Sequence, residues 1–277
     1  MRTLFRPFPL IALLLLPLPT LALDSNPFFA FQNGVRFASH EDAAKALAKF
    51  GYDGIGSASF PRDGDIPSLV KTYQTHGLKV FSFYTGGRLT EQGGEPAAGL
   101  YEAIPQLNGS SITLEVYLQG NRTIDQDEKA VKWIRDLSDR AAQSGLQIVL
   151  YPHTNFYIET IGDAVRVAKK VDRDNVGVMF NLCHFLKIEP GSDLRSALLE
   201  AKPLLRQVSV SGADEGGTDW RTLIQPVGKG SYDMTPLLQA LREIEFTGPI
   251  GAQCFNIQGD SKVFLKQTAE AWKALTQ

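Results

Sequence analysis

The sequence predicts a (β/α)8 TIM barrel, a single α/β domain behind a short N-terminal targeting segment. From residue 28 onward, eight short β-rich runs alternate with amphipathic helical stretches. Eight βα repeats in roughly 250 residues is the arithmetic of this fold. No Gly-rich phosphate loop follows the first run, which weakens the rival reading, a doubly wound open sheet.

The first 22 residues stand apart. Arg2 and Arg6 precede the apolar run LIALLLLPLP, which is short and interrupted by Pro17 and Pro19, and TLA at 20–22 offers small residues for signal peptidase. The expected layout is a signal peptide over 1–22 and a barrel over 23–277. The mature protein is expected to be periplasmic or secreted, without stable membrane insertion after cleavage.

The barrel repeat opens with FFAFQNG (28–34), followed by helical EDAAKALAKFG (41–51). GYDGIGSASF (51–60), LKVFSFYTGG (78–87) and SITLEVYLQG (111–120) come next, and the last leads into helical DEKAVKWIRDLSDRAAQSG (127–145). LQIVLYPHTN (146–155), VGVMFNLCHF (176–185) and QVSVSGAD (207–214) continue the series. Helical YDMTPLLQALREIEF (232–246) then precedes the final run, PIGAQCFNI (249–257). Gly51, Gly77 and Gly145 stand where helices must end before the next strand, as C-caps do.

With 28 basic against 30 acidic residues and no Lys/Arg-rich block, the chain is not built to neutralise nucleic-acid phosphates. Cys183 and Cys254 are the two cysteines. An oxidising compartment permits a bridge between them, but each lies in an apolar run, and two buried thiols are the expectation.

In a TIM barrel the site lies at the C-terminal ends of the strands. The polar residues there include Gln32, Asn33, Tyr84, Glu115, Tyr117, Tyr151, His153, Asn181, His184, Ser211, Asp214 and Gln253, and most are uncharged. VGVMFNLCHF reads as a buried strand stopping on the polar pair Asn181 and His184. In ITLEVY, alternation sends Glu115 to the face opposite Leu114 and Val116; inside a barrel its carboxylate needs a partner or a function. Two of the four histidines, His153 and His184, fall at adjacent strand ends, whereas His40 and His76 read as surface residues.

Three stretches carry a resemblance. VGVMFNLCHF resembles a sixth-strand signature of an apolar run followed by Asp-x-x-His, IQPVGKGSYDM a Pro-x-Gly-x-Gly-x-x-Asp loop after the seventh strand, and TGPIGAQCF an eighth strand that usually ends in Glu. Together they resemble the xylose isomerase-like TIM barrels, a superfamily of sugar isomerases, epimerases and endonuclease-type enzymes, from about Phe28 to Trp272. The resemblance implies one divalent metal held by Glu, Asp, His and Glu. Those positions fall here on Tyr151, Asn181, Ser209 or Ser211, and Gln253, so each expected ligand is replaced by a neutral group.

The expectation is therefore a sugar pocket without a resident cofactor. A divalent metal on different ligands, His153, His184 and Asp214, is the alternative. Proton transfer next to a sugar carbonyl would use His153, His184, Glu115 and Asp214 as catalytic candidates. Asn181, Gln253 and a protonated His184 would hold the oxyanion. Tyr151, Asn181, Ser211, Gln225, Gln253 and Trp220 are the substrate-binding candidates, since hydroxyls and amides suit a polyol. The resemblance implies a small-molecule sugar substrate and a possible homodimer. Its leading activity is isomerase or epimerase. Lyase or hydratase action on 3-keto sugars or their enones is the alternative, and a periplasmic sugar-binding protein without catalysis is the rival of another class.

Overall fold

The computed structural model describes residues 23–61, 64–122 and 126–277. The expected signal peptide over 1–22 lies outside the described residues. The strands are β1 (Phe28–Phe31), β2 (Gly54–Ser57), β3 (Lys79–Thr90), β4 (Gly93–Pro96), β5 (Thr113–Gln119), β6 (Gln147–Leu150), β7 (Val176–Asn181), β8 (Leu205–Val210) and β9 (Ile250–Ala252). Eight of them pair in the order β2-β1-β9-β8-β7-β6-β5-β3, and β2 pairs with β3 to close the ring. Each β-rich run of the sequence overlaps one barrel strand.

The helices are α1 (His40–Phe50), α2 (Ile66–Thr75), α3 (Leu100–Gln106), α4 (Asp127–Gln143), α5 (Ile161–Val171), α6 (Leu182–Ile188), α7 (Leu194–Ala201), α8 (Trp220–Leu223), α9 (Thr235–Glu243) and α10 (Ser261–Thr276). Their ends follow local chemistry. Ser39 accepts a hydrogen bond from the Asp42 amide at the start of α1, and Gly51 closes it in the left-handed conformation at φ 83°. Among the described residues, no helix is long and apolar enough to cross a membrane.

Two elements depart from the sequence reading. β3 runs on to Thr90 and folds back antiparallel as β4, a hairpin lying against α4. Gly94 permits it, because a Cβ there would sit 2.1 Å from Trp133 Cγ. The second departure is at VGVMFNLCHF, which is strand only as far as Asn181; Leu182 begins α6 directly, so His184 lies in a first helical turn rather than on a strand.

The main core fills the layer between barrel and helices. Inside the barrel, Phe29 occupies space vacated by Gly56 and Gly251, whose Cβ atoms would approach its ring to 2.7 and 2.6 Å. Polar side chains that share this closely packed interior find most of their partners among one another.

Candidate active site at the C-terminal rim

Above that interior, at the C-terminal ends of the strands, is a cavity of about 160 Å³. Phe31, Asn33, Tyr84, Tyr151, His153, His184, Trp220, Ile224, Gln253 and Phe255 line it. No Asp, Glu, Lys or Arg is among these lining residues, so the cavity is electrically neutral.

The backbone of one residue sets both histidines. His153 Nδ1 lies 2.8 Å from the Thr154 carbonyl. A carbonyl only accepts, so His153 carries its proton on Nδ1 and leaves Nε2 as a free base. His184 Nδ1 receives the Thr154 amide at 3.2 Å and has the Thr154 hydroxyl, which can donate as well as accept, at 2.9 Å. An amide only donates, so His184 must carry its proton on Nε2. The two rings stand 4.4 Å apart, centroid to centroid, and the pair thus presents one proton acceptor and one proton donor. Burial holds both imidazoles below their ordinary pKa, His184 well below, and His153 next to it adds to the effect on His184. The donor is therefore the neutral His184 ring, not the imidazolium anticipated from the sequence.

Tyr151 forms the second device. Asn181 Nδ2 donates to its hydroxyl at 2.6 Å and Gln253 Nε2 at 3.4 Å. The orientation of Gln253 is fixed because its Oε1 accepts from the Cys254 and Phe255 amides at 3.0 and 3.1 Å. Asn181 Oδ1 accepts from Cys183 Sγ at 3.1 Å. With two donors occupying its lone pairs, the phenol has its own O–H left to give. Burial raises its pKa well above the usual value, so that proton stays in place. Asn181 and Gln253 each give one amide hydrogen to Tyr151, and Gln253 also lines the cavity.

The sequence profile described as "Xylose isomerase-like TIM barrel" matches residues 44–275. The chain belongs to the xylose isomerase-like TIM barrel family. Inosose isomerase from Bacillus velezensis is 24% identical over 244 residues, 80% of this chain and 84% of its own. The fold matches the IOLI protein, solved with a bound zinc atom, at a TM-score of 0.72 with 16% identity, covering 90% of this chain and 98% of that one. It matches 3-keto-D-glucoside 4-epimerase from E. coli at 0.71 with 18% identity, covering 89% and 98%.

Within this xylose isomerase-like barrel, the positions at which the resemblance puts metal ligands do not fit a divalent ion. Gln253 and Asn181 turn N–H groups toward Tyr151, and their carbonyl oxygens are already engaged. A cation needs lone pairs, and here they face away or are taken. Among the described residues no three His, Cys, Asp or Glu side chains gather as a ligand set. The alternative set of His153, His184 and Asp214 does not form, because Asp214 lies in a separate outer cleft with Glu215 and Lys187.

Four candidates stand away from the cavity. Asp214 follows the bridge between Gly212 and Gln225 that carries the chain outward, and its Oδ1 accepts from the Ser231 amide at 3.2 Å. Ser211 is buried and donates to the Leu223 carbonyl at 3.0 Å, which ties α8 down. Gln225 donates to the Thr222 carbonyl at 3.2 Å and faces another cleft beside Arg221. Glu115 is in the barrel interior, where Ser82 and Gln207 both donate to its Oε1 and Oε2 has no partner. Desolvation lifts its pKa to about 7 against those two donors.

Trp220 does line the cavity, with its ring 5.2 Å from that of His184 and the Lys187 ammonium 5.3 Å from its centroid. Thr154 escaped the sequence reading because its contribution is largely backbone, joined by a hydroxyl 2.9 Å from His184 Nδ1, and no side-chain pattern reports a main-chain contact. Ile224 and Phe255 carried no signal beyond hydrophobicity. Cys183 and Cys254 are free, buried thiols.

Proposed function

We propose that the protein is a sugar isomerase or epimerase that moves a proton at the carbon next to a carbonyl, without a metal in the family's usual position. The observation that carries this reading is the opposed histidine pair set by Thr154. His153 Nε2 takes the proton. Tyr151 O–H and His184 Nε2–H give hydrogen bonds to the oxygen on which enolate charge grows. Neutral donors in a buried cavity are worth more than the same groups in water, because the surrounding dielectric is low. The uncharged lining favours a neutral sugar over a phosphorylated one, and the names of the inosose and 3-keto-glucoside relatives point to cyclic keto sugars.

The composition of residues 1–22 supports export of the mature chain to the periplasm or beyond, and family habit supports a homodimer.

The test is solvent-deuterium exchange. The protein is incubated in D2O with inososes, 3-keto glucosides and ketoses, and deuterium at the carbon beside the carbonyl is followed by NMR. Exchange in the native protein, with loss of about 10²–10⁴-fold in His153→Ala, is the expected result. Binding of these sugars by calorimetry with no exchange would instead make the protein a sugar-binding module. Exchange accompanied by elimination or hydration products would assign it to the lyases.

A further inference from the structure

A second cavity, of about 520 Å³, opens beside the first and shares Tyr84 with it as a common wall. The inner cavity, at about 160 Å³, is roughly half of the ~300 Å³ at which sites for larger ligands begin, which suits a single ring. The outer one lies within that larger range. Its lining combines the aromatic side chains Phe60, Tyr84 and Tyr117 with Ser59, Thr85, Gln106 and Glu102, and among the described residues includes no Lys or Arg.

An aromatic wall joins the two spaces. Tyr84 and Tyr117 stand 4.9 Å apart, Tyr117 and Phe156 5.6 Å, and Phe156 stacks on His153 at 4.0 Å. Phe60 is held in turn against Phe83 at 5.1 Å. Aromatic faces with hydroxyls and an amide at their edges match the alternating C–H and O–H surface of a sugar. Among the described lining residues the charged one is Glu102, a carboxylate that repels a phosphate or carboxylate substituent.

Resting on the reading of the inner cavity given above, we propose that the outer cavity is a subsite for a second, uncharged sugar ring. The substrate is then a keto-glycoside whose oxidised ring sits against His153 and whose glycosidic partner lies on Tyr117 and Phe60. The reaction that supplies such a substrate is oxidation of one ring hydroxyl of an intact disaccharide or glycoside.

Exchange rates with a 3-keto disaccharide and with 3-keto-glucose test this. The native protein should show kcat/KM at least tenfold higher for the disaccharide, and Phe60→Ala and Gln106→Ala should each bring that ratio toward one. Gln106 is exposed on α3, so its variant reads out the subsite even where Phe60→Ala weakens the fold. A native ratio near one, or a ratio unchanged in both variants, overturns the proposal. Should neither sugar exchange, the reading of the inner cavity fails separately, and calorimetry decides the subsite. Tighter binding of the disaccharide that Gln106→Ala abolishes supports it, and equal affinities overturn it.

Discussion

Thr154 gives its carbonyl to one histidine and its amide to the other, so a single residue makes one ring a base and its neighbour a donor. That arrangement predicts a pH dependence. Burial lowers the His153 pKa, so the base stays free below the ordinary histidine range near 6.5, and the acid limb of kcat/KM should fall below that value. An acid limb above pH 7 would show that another group takes the proton. Tyr151→Phe removes both a donor to the sugar oxygen and the acceptor of Asn181 and Gln253. It should lower kcat by about 10²–10³-fold and stability by about 1–3 kcal/mol; a melting temperature unchanged from native would mean that the two amides are satisfied elsewhere. Glu115 yields a prediction of the opposite sign from the histidines. Its folded pKa of about 7 lies above its ordinary 4.5, so its stabilising contribution is complete below 4.5 and is lost as pH rises through 7. Between pH 5 and 8 that loss is about 2–3 kcal/mol. The two histidines, with depressed pKa values, lose stability as pH falls, but a Glu115→Gln variant shares them. The pH 5 minus pH 8 difference in melting temperature should therefore be smaller in Glu115→Gln by roughly 5–10 °C, and equal differences would contradict the buried ionisation.

At the scale of elements, the site is made where strands hand over to loops and helices. β7 ends on Asn181, which both contacts Tyr151 and serves as the first residue before α6, so the turn that brings His184 inward is the turn that aims Asn181. The glycine loop after β8 explains its own motif. Gly230 has φ 82°, and a Cβ there would lie 2.0 Å from the Ala213 carbonyl, which also accepts the Tyr232 amide at 2.9 Å. Gly51 has nearly the same φ, 83°, with nothing within 4 Å. Gly51→Ala should therefore cost only the conformational penalty of about 1–2 kcal/mol. Gly230→Ala must add the displacement of a backbone carbonyl and should melt several degrees lower than Gly51→Ala; equal denaturation midpoints would show that the loop yields without strain.

For the whole molecule, barrel closure depends on β1 sitting between β2 and β9. The chain just before β1 is fastened to the far end of the sequence: Asn26 Nδ2 donates to the carbonyls of Phe246 and Gly248 at 2.9 and 2.8 Å. Phe28 also stacks on Trp272 of α10 at 4.7 Å. A chain beginning at residue 23 should thus fold and melt cooperatively, whereas one beginning at residue 28 loses both Asn26 hydrogen bonds, about 1–3 kcal/mol, and the buried Leu23 side chain, about 1.5–3 kcal/mol more. Denaturation midpoints of the two chains compare these directly, and equal values would deny the tether. The export proposed above predicts that mass spectrometry of the mature protein will find an N-terminus at or near residue 23, and an intact Met1 would overturn it.

The order of elements was legible in the sequence because it depends on local physics. Alternating β-rich runs and helical periodicities, with glycines where helices must turn left-handed, specify eight βα units whatever surrounds them. The sequence also shows neutral residues, Tyr151, Asn181 and Gln253, where the resemblance puts metal ligands, since an exchange of charge for an amide or phenol needs no coordinates to see. The hairpin β3–β4 was not legible, because it depends on Trp133, far along the chain, lying flat on Gly94. Nor was the separation of Asp214, Ser211 and Gln225 from the cavity, since a residue a few places past a strand can turn inward or outward with equal local cost. Which nitrogen of each histidine carries a proton was decided by tertiary structure alone. Hydrogen-bond direction belongs to a pair of groups, and His184 meets the backbone of Thr154 only once β6 and β7 lie side by side.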